Sequence, residues 1–276
     1  MSKTTNTNLD LEEPLISTSS KALNDLITPT GAPVRFLSRG ITLLYGTNAT
    51  GKTSISLDLC FNALKNNKNS VKRILYIDHE RGVDIWRVRQ IMKSKGINEQ
   101  ITRDENGLKV GNRLKFVFIS SLNDLINQLR IIQKARPNLL IVDPITAHYI
   151  ALACQPNSDL ATYGKTSKSI IYFSGQIKNY TNSWNMSVLY TSQPVSDVKM
   201  SEILHEIEKG GVSAYDQRRF IGGKALGHDP KVRVHLVKAI GNKRTAILEK
   251  HRSKSTTSKS KCSFLITNGG VSDVSK

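Results

Sequence analysis

Hydrophobic positions recur along the chain in two alternating rhythms. Short apolar runs appear at Ile41–Tyr45, Ile74–Ile77, Phe116–Ile119, Leu139–Val142 and SVLYTSQ (Ser187–Gln193). Runs of this length, bounded by polar or turn residues, read as strands buried on both faces. Between them the spacing becomes helical. Ile55, Leu57, Leu59, Cys60, Phe61, Ala63 and Leu64 predict a largely buried helix, and residues 84–94 predict another. Leu122, Leu125, Ile126, Leu129 and Ile132 form an apolar stripe that ends before Pro137, while Leu160, Tyr163, Ile170 and Ile177 share one side of a longer helical stretch. Strands separated by helices predict an α/β fold with a mostly parallel twisted sheet covered on both faces. The last third differs. KVRVHLVKA, RTAILEK and CSFLIT alternate apolar with polar residues between short turns, which predicts an antiparallel C-terminal strand extension.

Length refines this picture only slightly. The 276 residues suit one large domain, read here as a disordered lead at 1–15 and a single core at 16–276, with a long loop at 194–221. No run of eighteen apolar residues occurs and the N-terminus carries no apolar signal segment, so no membrane partner is expected. Cys60, Cys154 and Cys262 lie far apart without metal-ligand spacing; Cys60, on an apolar helix, reads as a reduced buried thiol. A cytoplasmic protein is expected. The formal charge of +18 changes the picture more. From Asp229 onward there are 11 Lys/Arg against 3 Asp/Glu, a footprint that suits nucleic acid or, alternatively, a solvated basic face.

The candidate chemistry begins where the first strand breaks. LLYGTNATGKTS (Leu43–Ser54) fits G-x-x-x-x-G-K-[ST], with Gly46, Thr47, Asn48, Ala49, Thr50, Gly51, Lys52, Thr53 and Ser54 forming the loop and helix start. Glycines let successive backbone N–H groups turn inward toward phosphate oxygens, and the following helix adds its positive end. Lys52 is placed for the β- and γ-phosphates and Thr53 for Mg²⁺. ATP and Mg²⁺ are therefore the expected cofactors.

In parallel sheets chemistry collects at the carboxyl ends of strands. ILYIDHE ends in Asp78, His79 and Glu80, LLIVD in Asp143, and VLYTSQ in Gln193. Asp143 suits a role at Mg²⁺, directly or through water, or else caps the next helix. Glu80 suits the activation of a water that attacks the γ-phosphate, or is a surface acid beside Arg81. Gln193 suits a γ-phosphate sensor that signals to the loop after it.

With these segments in order, the chain resembles the RecA superfamily, and especially archaeal RadA, RadB and their relatives. ISTSSKALNDLI (Ile16–Ile27) is similar to their leading helix, YIDHE to their I-D-x-E segment, LLIVDP to the second Walker motif and LYTSQPVSD to the strand with the sensing Gln. GGKALGH (Gly222–His228) resembles the close of the second DNA-binding loop; AILEKHRS and FLITNGGVSD (Phe264–Asp273) resemble later strands. The resemblance implies a RecA-type P-loop NTPase core, a DNA-dependent ATPase in recombination and repair, and a catalytic role for Glu80. It also implies adenine stacking by Arg87. Family members often have a cis peptide after the Walker aspartate; at Asp143-Pro144 cis costs only about 0.5–1 kcal/mol against 2.5–4 elsewhere, so a cis bond is expected there.

Departures from the family matter as well. The residues before Ile16 are too few for the helical N-terminal domain of RadA and contain no Phe for its polymerisation handle. HYIALACQPNSD (His148–Asp159), in the position of the first DNA loop, carries no Lys or Arg. The second loop is nearly balanced in charge, and only YDQRRF (Tyr215–Phe220) joins cations to aromatics as single-strand binding favours. Arg218, Arg219, Phe220 and Lys224 are accordingly the candidate contacts to single-stranded DNA. The reading is a core-only relative of RadB type, working as a homo-oligomer or with a partner recombinase. The competing reading is a regulatory ATPase resembling KaiC, since EKHRS (Glu249–Ser253) is similar to the K-x-R pattern of such rings. Lys250 and Arg252 would then stabilise a neighbour's γ-phosphate in trans, although the same residues also suit DNA phosphates or solvent.

Overall fold

The computed structural model describes residues 15–66, 71–153, 160–194, 226, 228–257 and 260–275. A short helix α1 (Lys21–Ile27) leads into β1 (Gly40–Tyr45) and the phosphate-loop helix α2 (Lys52–Lys65). Then follow β2 (Ile74–Asp78), α3 (Ile85–Lys95), β3 (Ile101–Asp104), β4 (Gly107–Val110) and β5 (Leu114–Phe118). Next come α4 (Leu122–Ala135), β6 (Leu139–Asp143), α5 (Ala147–Ala153), α6 (Leu160–Ser183) and β7 (Ser187–Ser192). The chain closes with β8 (Val232–Lys238), β9 (Lys243–His251), β10 (Lys261–Thr267) and β11 (Gly270–Asp273). All the strands join one 11-stranded sheet in the order β11-β10-β9-β8-β1-β7-β6-β2-β5-β4-β3. From β8 through β5 neighbouring strands run parallel. Antiparallel strands extend it at both edges, β9 to β11 on one side and β4 with β3 on the other.

The parallel strands are buried on both faces, as their unbroken apolar runs require. Alternation sorts their side chains into two layers. Leu44, Tyr76, Ile141 and Leu189 pack with α1, α2 and α3, while Leu43, Tyr45, Ile77, Val142 and Tyr190 pack with α4 and α6. Burying each such side chain fully contributes about 1.5–3 kcal/mol. The helices start and stop where local chemistry dictates. Ser121 and Asp124 form a reciprocal capping box on α4, which ends at Arg136 in the left-handed region, just before Pro137. Asp84 caps α3, and Gly96 closes it at φ 66°.

The antiparallel extension beyond β5 was not expected from the sequence. In ITRD only Ile101 is even half-buried, and the turn between β3 and β4 is Glu105-Asn106, with the Asn-Gly pair one place late for a two-residue hairpin loop. The hairpin is an edge element, and edges carry little apolar signal.

A polar cluster holds the α1 segment against the phosphate-loop helix. Asp58, fully buried in α2, accepts from the Ser19 backbone N–H at 2.7 Å and the Ser19 hydroxyl at 2.9 Å, and pairs with the Lys95 ammonium at 2.7 Å. The C-terminal strand closes the same end. Asp273 accepts from the Ser20 hydroxyl at 2.6 Å and the Ala22 N–H at 2.9 Å, capping α1. Removing Asp58 would leave the Lys95 ammonium, only 8% exposed, without its counter-charge. Asp58→Ala is expected to cost about 3–5 kcal/mol in urea unfolding, and Asp58→Ala/Lys95→Met to recover part of that loss.

Candidate nucleotide-binding site

The loop between β1 and α2 is shaped by two glycines. A Cβ on Gly46 would lie 2.4 Å from the Leu236 carbonyl oxygen on the neighbouring β8 and 2.7 Å from Thr50 Oγ1. Gly51, the N-cap of α2, sits at φ 98°, in the left-handed region that a side chain disfavours. Thr50 is buried and donates to the Thr47 carbonyl at 2.9 Å, tightening the turn. Lys52 folds its ammonium back over the loop, donating to the Gly46 and Thr47 carbonyls at 2.8 and 2.9 Å. Burial holds its pKa below the ordinary lysine value, and the charges of Asp143 and Glu80 pull it back up.

Asp143 is the meeting point of the site. It stands in register with Asp78 on the adjacent parallel strand. Thr53 Oγ1 donates to one carboxylate oxygen at 2.8 Å, the Tyr76 hydroxyl donates to the same oxygen, and the Thr191 hydroxyl donates to the other. Elements α2, β2 and β7 thus converge on the end of β6. The following Asp143-Pro144 bond is cis, as expected. A hydroxyl and a carboxylate oxygen side by side are the hard donors Mg²⁺ takes, so Thr53 and Asp143 fit the ion.

Asp78 has a different task. Its carboxylate accepts from the backbone N–H groups of Glu80, Gly82 and Val83 at 3.2, 3.1 and 2.9 Å, folding residues 79–83 into a tight loop. Burial raises its pKa and those N–H groups oppose the rise. The loop delivers Glu80 to the cleft. There burial and then Asp143 raise the Glu80 pKa, against the pull of Lys52. The cleft has a volume of about 560 Å³, and Lys52, Thr53, Glu80, Asp143 and Gln193 all line it, together with Arg244 and Ile266, which lie against the phosphate loop.

The Rad51 family model matches residues 13–274. The chain belongs to the Rad51 family. Among its relatives is the DNA repair and recombination protein RadB of Methanococcoides burtonii, 27% identical over 266 residues, which cover 95% of this chain and 98% of the relative. RadB of Methanocaldococcus jannaschii is 29% identical over 221 residues, 76% of this chain and 84% of that one. The DNA repair and recombination protein RadA of Aeropyrum pernix is 25% identical over 236 residues, 84% of this chain but 65% of that longer protein. Rad51-family membership carries a general ATPase activity and nucleotide use with it, and the observed α/β sheet is the family's.

In this Rad51-family chain the residues expected from the sequence separate into groups. Asn48, Ala49, Gly51, Lys52, Thr53, Ser54, Glu80, Asp143 and Gln193 line one cleft, and Gly46, Thr47 and Thr50 form the inside of its loop. Arg87 lies apart on α3, its guanidinium donating to the Thr267 and Asn268 carbonyls at 2.7 and 3.0 Å. Those residues follow directly on Ile266 of the cleft wall. Lys250 and Arg252 lie at the opposite end of the sheet, where Val232 pairs with His251 near the start of β1. Lys250 donates to the His228 carbonyl at 3.2 Å, and Arg252 joins Arg39, Lys178 and Lys231 around a second cleft of about 590 Å³. Arg218, Arg219, Phe220 and Lys224 lie outside the described residues, as does Cys154. Cys60 is buried, as expected, and no described helix is long and apolar enough to cross a membrane.

Reading strand ends missed Tyr76, Thr191, Asp78 as a loop organiser, and Arg244. It also missed a histidine pair beside the site. His79 and His148 rings lie 5.1 Å apart, and both His79 ring nitrogens are buried without a hydrogen-bond partner among the described residues. Burial, then His148, lowers the His79 pKa to about 3. A folded-state pKa below the unfolded value means that neutral His79 contributes stability fully present above about pH 6.5. That contribution is lost as pH falls toward 3. His79→Leu is therefore expected to shrink the fall in urea midpoint between about pH 7 and about pH 4.5 relative to the unaltered protein.

Proposed function

We propose that this protein is an ATP-dependent accessory factor in homologous recombination and DNA repair, with a single core at 16–276 that holds single-stranded DNA. The observation that carries the reading is the convergence of Lys52, Thr53, Glu80, Asp143 and Gln193 on one cleft in a chain of the Rad51 family. The RadB and RadA relatives are DNA repair and recombination proteins, which supports the biological setting.

In this reading residues 46–54 hold the phosphates of ATP, Lys52 the β- and γ-phosphates, and Thr53 and Asp143 hold Mg²⁺. The ion, when bound, neutralises phosphate charge. Tyr76 and Thr191 keep the Asp143 carboxylate aimed. Glu80 orients and deprotonates water; its raised pKa makes it a better proton acceptor than an ordinary exposed glutamate. Gln193 relays the presence of the γ-phosphate to the loop that follows β7, where Arg218, Arg219, Phe220 and Lys224 contact DNA. Arg87 serves adenine. Lys250 and Arg252 reach a phosphate only in a neighbouring copy, because their own loop is at the other end of the sheet. A homo-oligomer, or a mixed assembly with a partner recombinase, follows from that role. Turnover is slow, with ATP acting mainly as a conformational ligand, and DNA accelerates it.

The test is ATP hydrolysis with and without single-stranded DNA at two salt concentrations. Stimulation by DNA is expected to fade between roughly 50 and 200 mM salt as counterions compete for the phosphates. Lys52→Ala should abolish turnover, and Glu80→Gln should lower kcat by about 10²–10⁴-fold while leaving ATP binding in place. Lys52-dependent hydrolysis indifferent to DNA would instead favour a regulatory ATPase resembling KaiC.

A further inference from the structure

Arg244 is the second residue of β9, and strand alternation puts it on the buried face with Ala246 and Leu248. It is only 7% exposed, yet no carboxylate pairs with it among the described residues. Its guanidinium is instead fixed by carbonyls. Nε donates to the Ala49 oxygen at 2.9 Å, and Nη1 donates to the Gly241 and Lys243 oxygens, both at 2.8 Å. Ala49 is the crest of the phosphate loop and a non-glycine residue at φ 61°. A guanidinium has five N–H donors. Three are committed to the backbone, and the two on Nη2 have no partner among the described residues. Nη2 is not among the fully buried unpartnered atoms, and Arg244 lines the same cleft as Lys52 and Thr53.

A cation so far removed from water is destabilising unless an anion or a full set of acceptors compensates it. Three neutral carbonyls satisfy donors, but they do not neutralise the charge. Of the two carboxylates that line the cleft, Asp143 is engaged by hydroxyls and Glu80 forms no ion pair with Arg244 among the described residues. No described carboxylate pairs with the guanidinium, and its unpartnered edge lies beside a loop built to hold phosphate. We propose that Arg244 is a phosphate-binding residue of the nucleotide site, spending its Nη2 donors on a non-bridging oxygen of the bound polyphosphate while Nε holds the crest of the loop. A planar fork fixed on two sides loses little further freedom when it meets that oxygen, which an unanchored lysine could not match.

The inference rests on the nucleotide reading of this cleft, so its test separates the two. Dissociation constants for Mg-ATP and for inorganic triphosphate would be measured across a salt series. Melting temperatures without ligand would be recorded for the unaltered protein, Arg244→Met, Arg244→Gln and Arg244→Lys. The expected result is that Met and Gln weaken both ligands by about 10–100-fold, flatten the dependence of affinity on salt, and leave the ligand-free melting temperature unchanged or raised. Arg244→Lys, which keeps the charge, should retain most of the salt dependence. A lower ligand-free melting temperature with affinity or salt slope unchanged would overturn the proposal and leave Arg244 a clamp on the loop. Weaker binding with an unaltered salt slope would overturn it equally. If the unaltered protein bound neither ligand, the nucleotide reading itself would fail.

Discussion

The Asp143 carboxylate is bound by hydroxyls from three other elements, and the geometry of the cleft depends on those bonds. A carboxylate at 6% exposure is tolerated only if its oxygens are occupied. Thr53, Tyr76 and Thr191 occupy them from α2, β2 and β7. Each bond ties another element to the end of β6. The loop glycines set the shape of the phosphate cradle, but the Thr53 contact sets where that cradle stands relative to the acidic strand ends. The register of Asp78 beside Asp143 extends the constraint one strand further. Glu80 inherits its position from it, through the turn that the Asp78 carboxylate folds. A site assembled from four strand ends is thereby held, among the described residues, without a salt bridge at its centre.

What the sequence disclosed follows from which interactions leave a local signature. The parallel strands β1, β2, β6 and β7 are buried on both faces, so their apolar runs are unbroken and their ends fall at Tyr45, Asp78, Asp143 and Ser192, each within a residue of expectation. The loop residues were legible because backbone wrapping around phosphate demands glycine at fixed spacing. The β3–β4 hairpin was not, because an edge strand packs one face at most and charged Arg103 and Asp104 guard it. Tyr76 and Thr191 were hidden for another reason. Both lie inside strands whose apolar character defines them, and the hydroxyl matters only once β6 is placed between β2 and β7. Arg244 did leave a sign: it is a cation on the apolar phase of an alternating strand.

Charge is distributed along the strands with a purpose the total of +18 conceals. At the carboxyl end of the parallel strands Lys52 and Arg244 share a cleft with Glu80 and Asp143, and among the described residues no ion pair joins Arg244 to either carboxylate. Lys52 and Glu80 shift one another's pKa toward the charged forms, while burial opposes both. What the site would offer a polyphosphate is geometry: backbone N–H groups at a helix start, an ammonium on a tether, and a fixed guanidinium.

The other end of the same strands is different in kind. Arg39, Lys178, Lys231 and Arg252 surround a cleft in which Asp229 is the one carboxylate among the lining residues, and it is already engaged by Lys178 at 3.0 Å and by Ser174 at 3.1 Å. Arg39 is spent in part on the last carbonyls of α6, donating to Thr181 at 2.8 Å. That contact offsets the negative end of the helix and leaves the cleft cationic overall. One molecule therefore presents a phosphate cradle at one end of β1 and a cleft lined by four cations and one carboxylate at the other. The span of the sheet prevents the two from meeting within one chain, so Arg252 could serve at a nucleotide only in a neighbouring copy.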